Sequence, residues 1–332
     1  MDIVFLKSDS GKPKYKQIIA SIEDAIVSGV LKKGDRLPSL NKIKNQHSLS
    51  RDTVLSAFNE LKNRGIIHSV VGKGYYVSTE NVNIEQKVFL LFDELNSFKE
   101  DLYNSFLQGL DENIQVDIFF HHFNKDVFAK LINDNIGKYS YYVIMPANLA
   151  DTEKVIDNLP TEKVYILDQV HKSLSQYSAI YQNFEKDIFK GLSLMLMNIV
   201  KYEKVILVFS EEKQPKGILK GFQSFCNQYN ITSEVIPSMK KRVIEKGEVY
   251  IVLEDKNLIR IIKNIKEKKL TLAKDIAIVS VNDNMLKEIV EGGITTISTD
   301  FKLMGKRLAE MILNKEQVKI ENPSSLILRK SI

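Results

Sequence analysis

The chain has a single cysteine, Cys226, in 332 residues, so no internal disulfide can form and no covalent cross-link supports the fold. Long apolar runs are missing too. The richest, such as 191–200, fall well short of the roughly 20 residues that a membrane-crossing helix needs. The first residues lack the basic start and apolar core of a secretion signal, so a cytoplasmic protein with no membrane partner is expected. No Gly-x-Ser-x-Gly, His-Glu-x-x-His or phosphate-loop pattern occurs, which removes the commonest hydrolase and nucleotide-binding readings. Histidines number five. The adjacent pair His121-His122 lies near a strand end, where neighbours point to opposite faces, so joint metal binding is not expected. Neither a catalytic residue, a metal nor a cofactor follows from the sequence.

What is present is ordinary in amount and uneven in placement. Hydrophobic residues make up 44% and charged residues 27%, enough to bury a core in two or three domains. The net charge of +5 sits at one end: residues 1–80 carry 13 Lys+Arg against 8 Asp+Glu, whereas residues 81–332 carry 34 of each. A cation excess confined to one segment is what phosphate attraction would need.

That segment has a definite plan. Tyr15, Ile18, Ile19, Ile22, Ala25 and Ile26 recur at helical spacing up to Gly29, a suitable left-handed C′ residue. Pro38 and Ser39 open a short second helix reaching about Gln46, with Ile43 facing inward. Ser50 caps a third helix extending to Arg64, on which Val54, Phe58 and Leu61 share one face before Gly65 closes it. Two β-prone runs, 66–71 and 75–77, flank Gly72-Lys73-Gly74 and predict a hairpin. A recognition helix enters the major groove with its N-terminal residues toward the bases, here Ser50, Arg51, Asp52 and Thr53. Arg51 can bond a guanine bidentately, worth about 1–3 kcal/mol of discrimination. Ser50 and Thr53 carry hydroxyls suited to phosphate, and Lys73 sits at the tip of the wing.

This pattern resembles the winged helix-turn-helix of the GntR family of bacterial regulators. The matching residues are Tyr15, Gly29, Gly34-Asp35, Leu37-Pro38-Ser39, Ser50-Arg51, Thr53-Val54, Ala57, Leu61, Gly65-Ile66-Ile67 and Gly72-Lys73-Gly74. The resemblance implies operator DNA as a partner, contacted by Arg36, Ser39, Asn41, Ser50, Arg51, Asp52, Thr53, Gly72 and Lys73. Two positions depart from the family, since Asn41 and Leu55 stand where arginines are common. Asn41 can pair with adenine and Leu55 can meet a thymine methyl.

Residues 78–87 are polar and aperiodic and read as a linker between a head at 1–77 and a domain at 88–332. Beyond it, short apolar strands (87–92, 116–121, 141–145, 163–167, 204–209, 249–253 and 276–281) alternate with helical stretches such as 102–110, 188–199, 218–229 and 258–268. That alternation predicts an α/β fold with parallel sheets covered by helices, whose ligands bind beyond the carboxyl ends of the strands. Those ends are rich in carboxylates and amides, with Phe98, Tyr181 and Phe184 able to cover the apolar face of a sugar ring. Cys226 and Phe225 read as core, and Lys240-Lys241-Arg242 as solvated surface.

The order of elements is similar to the two-lobed effector domain of the LacI/GalR family, itself like the type I periplasmic sugar-binding proteins. The stretch 272–283 resembles that family's approach to a ligand-contacting Asp-Asp pair, 293–298 and 304–309 resemble its hinge strand and following helix, and Asn96-Ser97-Phe98 its Asn-Pro-Phe. Gln182-Asn183 and Gly221-Phe222 match further points. The resemblance implies a homodimer and a monosaccharide or sugar-phosphate effector held by Asn96, Phe98, Asp168, Gln182, Asn183, Lys216, Glu254, Asp255, Asn282 and Asp283. Ile218 replaces the usual clamp arginine, with Lys216 the nearest cation, while Asn282 replaces the first aspartate and Glu254 stands near a usual asparagine. Two other readings stay open from sequence: a ligand-binding module whose head no longer reads sequence, and an enzyme acting on a sugar or nucleotide.

Overall fold

The computed structural model describes residues 3–6, 12–82 and 86–332. In the head, α1 (Lys14–Val27), α2 (Leu40–His47) and α3 (Arg51–Asn63) pack around Ile18, Ile22, Ile43, Val54, Phe58 and Leu61, all essentially solvent-free. The Ser39 and Ser50 hydroxyls accept from the amides of Lys42 and Thr53, satisfying backbone donors that each helix start leaves open. Strands β1 (Ile67–Val70) and β2 (Gly74–Val77) pair antiparallel to form the wing, and Gly72 takes φ +71° at its tip. The segment before α2 lies along β2, with Gly34 N donating to Val77 O and Leu37 N to Tyr75 O, both at 2.9 Å.

Part of the predicted linker, 83–85, lies outside the described residues. The sheet behind it begins with β3 (Gln86–Phe92), which includes Lys87 at the linker's expected end. The head rests on this lobe. Ser140 Oγ donates to Asn63 O at 3.2 Å, while Arg64, just past α3, donates within the head side of the chain to Val82 O at 2.9 Å.

Two six-stranded sheets follow. The first lobe runs β3, α4 (Ser97–Gly109), β4 (Ile114–Phe120), α5 (Lys125–Asn133), β5 (Tyr141–Ile144), α6 (Glu153–Ile156), β6 (Val164–Asp168) and β7 (Ser178–Tyr181). The second contains α7 (Phe184–Leu194), α8 (Leu196–Ile199), β8 (Lys204–Val208), α9 (Lys216–Gln228), β9 (Ser233–Ile236), β10 (Glu248–Val252), α10 (Asp255–Glu267), β11 (Ala277–Val281), α11 (Met285–Ile289) and β12 (Thr295–Thr299). The chain then returns through α12 (Phe301–Leu313) and β13 (Lys319–Glu321) to the first lobe, and ends on the second with β14 (Ser324–Ile327). The sheet orders are β13-β7-β6-β5-β3-β4 and β14-β12-β11-β10-β8-β9, parallel throughout except for β14 against β12. Central strands such as β5, β10 and β11 are buried at every residue, as expected of parallel strands covered on both faces.

The lobes are therefore joined by three crossings: after β7, after β12, and between β13 and β14. Asn322, 2% exposed, ties them together. Its backbone amide donates to Tyr181 O at 2.7 Å, and its side-chain amide donates to Asp300 O at 2.9 Å. Glycines permit the closest helix contacts: a Cβ on Gly305 would strike the Leu102 carbonyl in the α12–α4 pair, and one on Gly221 the Glu185 carbonyl in the α9–α7 pair.

Candidate DNA-reading head and effector cleft

On the head, Arg36, Ser39, Asn41, Ser50, Arg51, Asp52, Gly72 and Lys73 are exposed and Thr53 is half-buried. The α3 start, the α2 start and the wing thus present these residues to solvent together. Ser39 and Ser50 are already engaged as caps, and Ser50 Oγ also lies 2.8 Å from Thr53 Oγ1. Arg51 and Asn41 are exposed at the starts of α3 and α2. Arg36 lies against the wing, its Nε 3.5 Å from where a Cβ on Gly74 would be. Leu55 is half-buried, so it edges the head's core as well as facing out.

A cleft of about 550 Å³ opens between the lobes at the carboxyl ends of both sheets. Of the ten effector candidates, Asn96, Phe98, Asp168, Gln182, Glu254, Asp255 and Asn282 line it. The other three do not. Asn183 caps α7 and donates to Glu321 at 3.0 Å, Asp283 is held by both Arg329 terminal nitrogens at 2.7 and 2.6 Å, and Lys216 is exposed on α9. Burial works to raise the Asp283 carboxyl, but Arg329 outweighs it and holds the group below the usual range. The clamp position, Ile218, does line the cleft and is buried.

The floor of the first lobe is a buried polar cluster. Lys99 forms an ion pair with Asp93, both 6% exposed, and Gln182 Nε2 donates to Asp168. Burial pushes the Asp168 carboxyl up to about 6; Lys99 opposes the shift and the Asp93 charge adds to it. Asp168 and Asn282, at the ends of β6 and β11, both take left-handed backbone, φ +75° and +62°. Asp and Asn are the non-glycine residues that enter this region most readily, and both line the cleft. Phe98 stacks on Phe301 with ring centroids 4.9 Å apart, giving the cleft a fixed apolar wall.

Lys99, Phe123, Lys213 and Gln214 also line the cleft without having stood out in the sequence, and Asp93, one of the polar residues at the first strand end, lines it too. A lysine in the first turn of a helix ordinarily reads as a solvated cation, so only Asp93, next to the strand end, had a visible signal. His121 is buried with Nε2 donating to Met145 O at 3.0 Å, while His122 is exposed. Cys226 is buried. Among the described residues, no group of three or more His, Cys, Asp or Glu could hold a metal ion, and no helix is long and apolar enough to cross a membrane.

Comparison with known proteins agrees with this architecture. Residues 14–77 match the family model for bacterial regulatory proteins of the gntR family, and residues 200–332 that for a periplasmic binding protein-like domain. The chain is 21% identical to the arabinose metabolism transcriptional repressor of Geobacillus stearothermophilus over 96% of its own length and 95% of that protein's. It is 32% identical over 97 residues to the HTH-type transcriptional repressor YtrA of Bacillus subtilis (strain 168), covering 28% of this chain and 74% of YtrA. It is also 39% identical over 83 residues to the mannosyl-D-glycerate transport/metabolism system repressor MngR of Escherichia coli (strain K12), covering 25% of this chain but only 35% of MngR. Among solved structures, the trehalose repressor from Escherichia coli aligns with a TM-score of 0.63 at 15% identity, covering 73% of this chain and 99% of that one. The lac repressor dimer bound to operator and the anti-inducer ONPF aligns with a TM-score of 0.60 at 16% identity, covering 74% and 93%. A winged head and a two-lobed cleft, each similar to regulators, lead to one conclusion: the chain belongs to the gntR family of bacterial regulatory proteins, carries a periplasmic-binding-protein-like domain, and is a DNA-binding transcriptional regulator.

Proposed function

We propose that the chain is a cytoplasmic, homodimeric repressor of carbohydrate-use genes whose cleft takes an uncharged monosaccharide. The head, residues 1–77, reads one half of a two-fold operator, with Arg51 and Asn41 at base edges and Arg36, Thr53, Gly72 and Lys73 toward the backbone. The stretch from 78 links it to the effector domain, whose first strand begins at Gln86. A dimer supplies two heads with fixed spacing, and lobe closure on the effector changes that spacing.

The observation that carries the sugar is the lining of the cleft. Amides and carboxylates from both lobes line the cleft together with Phe98 and Phe184, the mix that binds hydroxyl groups and an apolar sugar face. The name of the arabinose repressor and the ribose bound to a LacI-family neighbour point the same way. Charge selects against a phosphate. Among the lining residues, the carboxylates Asp93, Glu94, Asp168, Glu254 and Asp255 outnumber the cations Lys99, Lys213 and Lys256, of which Lys99 and Lys213 are paired with Asp93 and Glu94.

A thermal-shift screen of the purified protein against pentoses, hexoses, deoxyhexoses and their phosphates tests this reading. An uncharged sugar at about 100 times its dissociation constant adds roughly 2.7 kcal/mol of stability. A stereospecific shift with one free sugar supports the proposal; shifts only with phosphorylated sugars, or with none, count against it.

A further inference from the structure

Lys287 is 1% exposed, yet its Nζ reaches three groups of the cleft wall. It donates to the carbonyl oxygens of Val281 and Asn282 at 3.1 and 2.6 Å and lies 3.4 Å from Asp255 Oδ1. Val281, Asn282 and Asp255 all line the cavity, and Lys287 does not. Two carbonyls accept from the ammonium and a carboxylate lies at ion-pair distance, the kind of pairing that a buried charge requires. The backbone fixes the lysine in place: Asn284 caps α11 by accepting from Lys287 N at 3.0 Å, and Ile294 N donates to Lys287 O at 2.7 Å.

The opposite lobe carries the same device. Asn96 caps α4 by accepting from Lys99 N at 3.1 Å, and Lys99 is buried against Asp93. The two capping asparagines share extended backbone, φ −152° and −158°. The caps also meet: Asn284 Nδ2 donates to Ser97 Oγ across the cleft and to Asp255 Oδ2 beside it, both at 3.2 Å.

We propose that Lys287 is the positioning residue for the second lobe's half of the effector cleft: it locks Asn282 in left-handed backbone and aims Asp255 into the cavity without touching the effector. This rests on the cleft being an effector site, as proposed above.

The test uses the full chain with Lys287→Met, near in volume but uncharged, beside Lys287→Gln, which keeps a shorter donor. Hydrogen exchange of the free proteins is followed, with calorimetric titration of L-arabinose and D-ribose. The expected result is faster exchange confined to residues 281–289, and binding of whichever sugar the wild type takes weakened about tenfold or more for Met, the worth of one charge-assisted hydrogen bond, and less for Gln. Wild-type sugar affinity and unchanged exchange in Lys287→Met would overturn the proposal, as would a loss of protection spread over the whole protein in both variants, which marks a structural role. If the wild type binds neither sugar, the probes chosen from the effector reading fail, while exchange at 281–289 still judges Lys287.

Discussion

Asn322 and Asp300 lie on different crossings between the lobes, and the Asn322 side-chain amide donates to the Asp300 carbonyl at 2.9 Å. With its backbone amide on Tyr181 O, Asn322 joins all three crossings in one buried knot. The three crossings are thereby tied together at one point between the lobes.

Asn322→Ala leaves the Asp300 carbonyl without its side-chain donor inside the hinge. That carbonyl still accepts from Met304 N at 3.0 Å, so the expected loss is about 0.5–1.5 kcal/mol of stability, the net worth of one hydrogen bond. Denaturant unfolding measures it, and an unchanged midpoint would remove Asn322 from the hinge account.

Arg51→Ala separates base reading from phosphate attraction. Specific binding should fall by about 1–3 kcal/mol, roughly 5- to 150-fold, with little change on scrambled DNA. Fluorescence anisotropy on both duplexes decides; equal losses would make Arg51 a phosphate contact only.

Asp168 gives a pH signature. Its carboxyl, raised to about 6 by burial, takes up a proton in the folded protein before the unfolded chain does, from an ordinary value of 3.8. Its ionisation therefore costs stability above about pH 6, and the cost fades as the pH falls below that. Asparagine accepts left-handed backbone and has no such charge. Asp168→Asn should melt higher than wild type at pH 8, with the gap closing toward pH 4. A gap that widens in acid would contradict this assignment.

Gly305→Ala tests how the returning helix is seated. The added methyl meets the Leu102 carbonyl, backbone that cannot rotate away, so α12 must shift from α4. A loss of about 1–3 kcal/mol is expected from thermal or denaturant melts, as for other overpacked cores. Wild-type stability would mean that the two helices have slack.

How far the sequence shows this molecule varies by region. The head was legible nearly to the residue, because caps such as Ser39 and Ser50 and glycines such as Gly29 and Gly72 have few alternative uses. The buried strands β3, β5, β8, β10 and β11 stood out as apolar runs. Strands β9, β13 and β14 did not: they are short edges with few buried residues. The expected helix over 188–199 is divided at Met195 and starts earlier, at Phe184 behind the Asn183 cap. In the cleft, residues at strand ends were found by position alone. Asn183 and Asp283 lie at the same strand ends but are consumed by Glu321 and Arg329, partners 138 and 46 residues away in sequence, so no local pattern could reveal it. Lys99 and Lys287 were hidden for the converse reason, since only the tertiary fold shows that they are buried.

The most direct measurement is selection of duplexes from a random library by the full chain, followed by anisotropy titration of the selected site with and without the sugar found by thermal shift. The expected result is a two-fold symmetric site bound much more tightly than scrambled DNA, with affinity lowered about 5- to 150-fold by that sugar, the usual range of coupling between two sites. No enriched sequence, or one whose affinity ignores a sugar that binds the cleft, would contradict it.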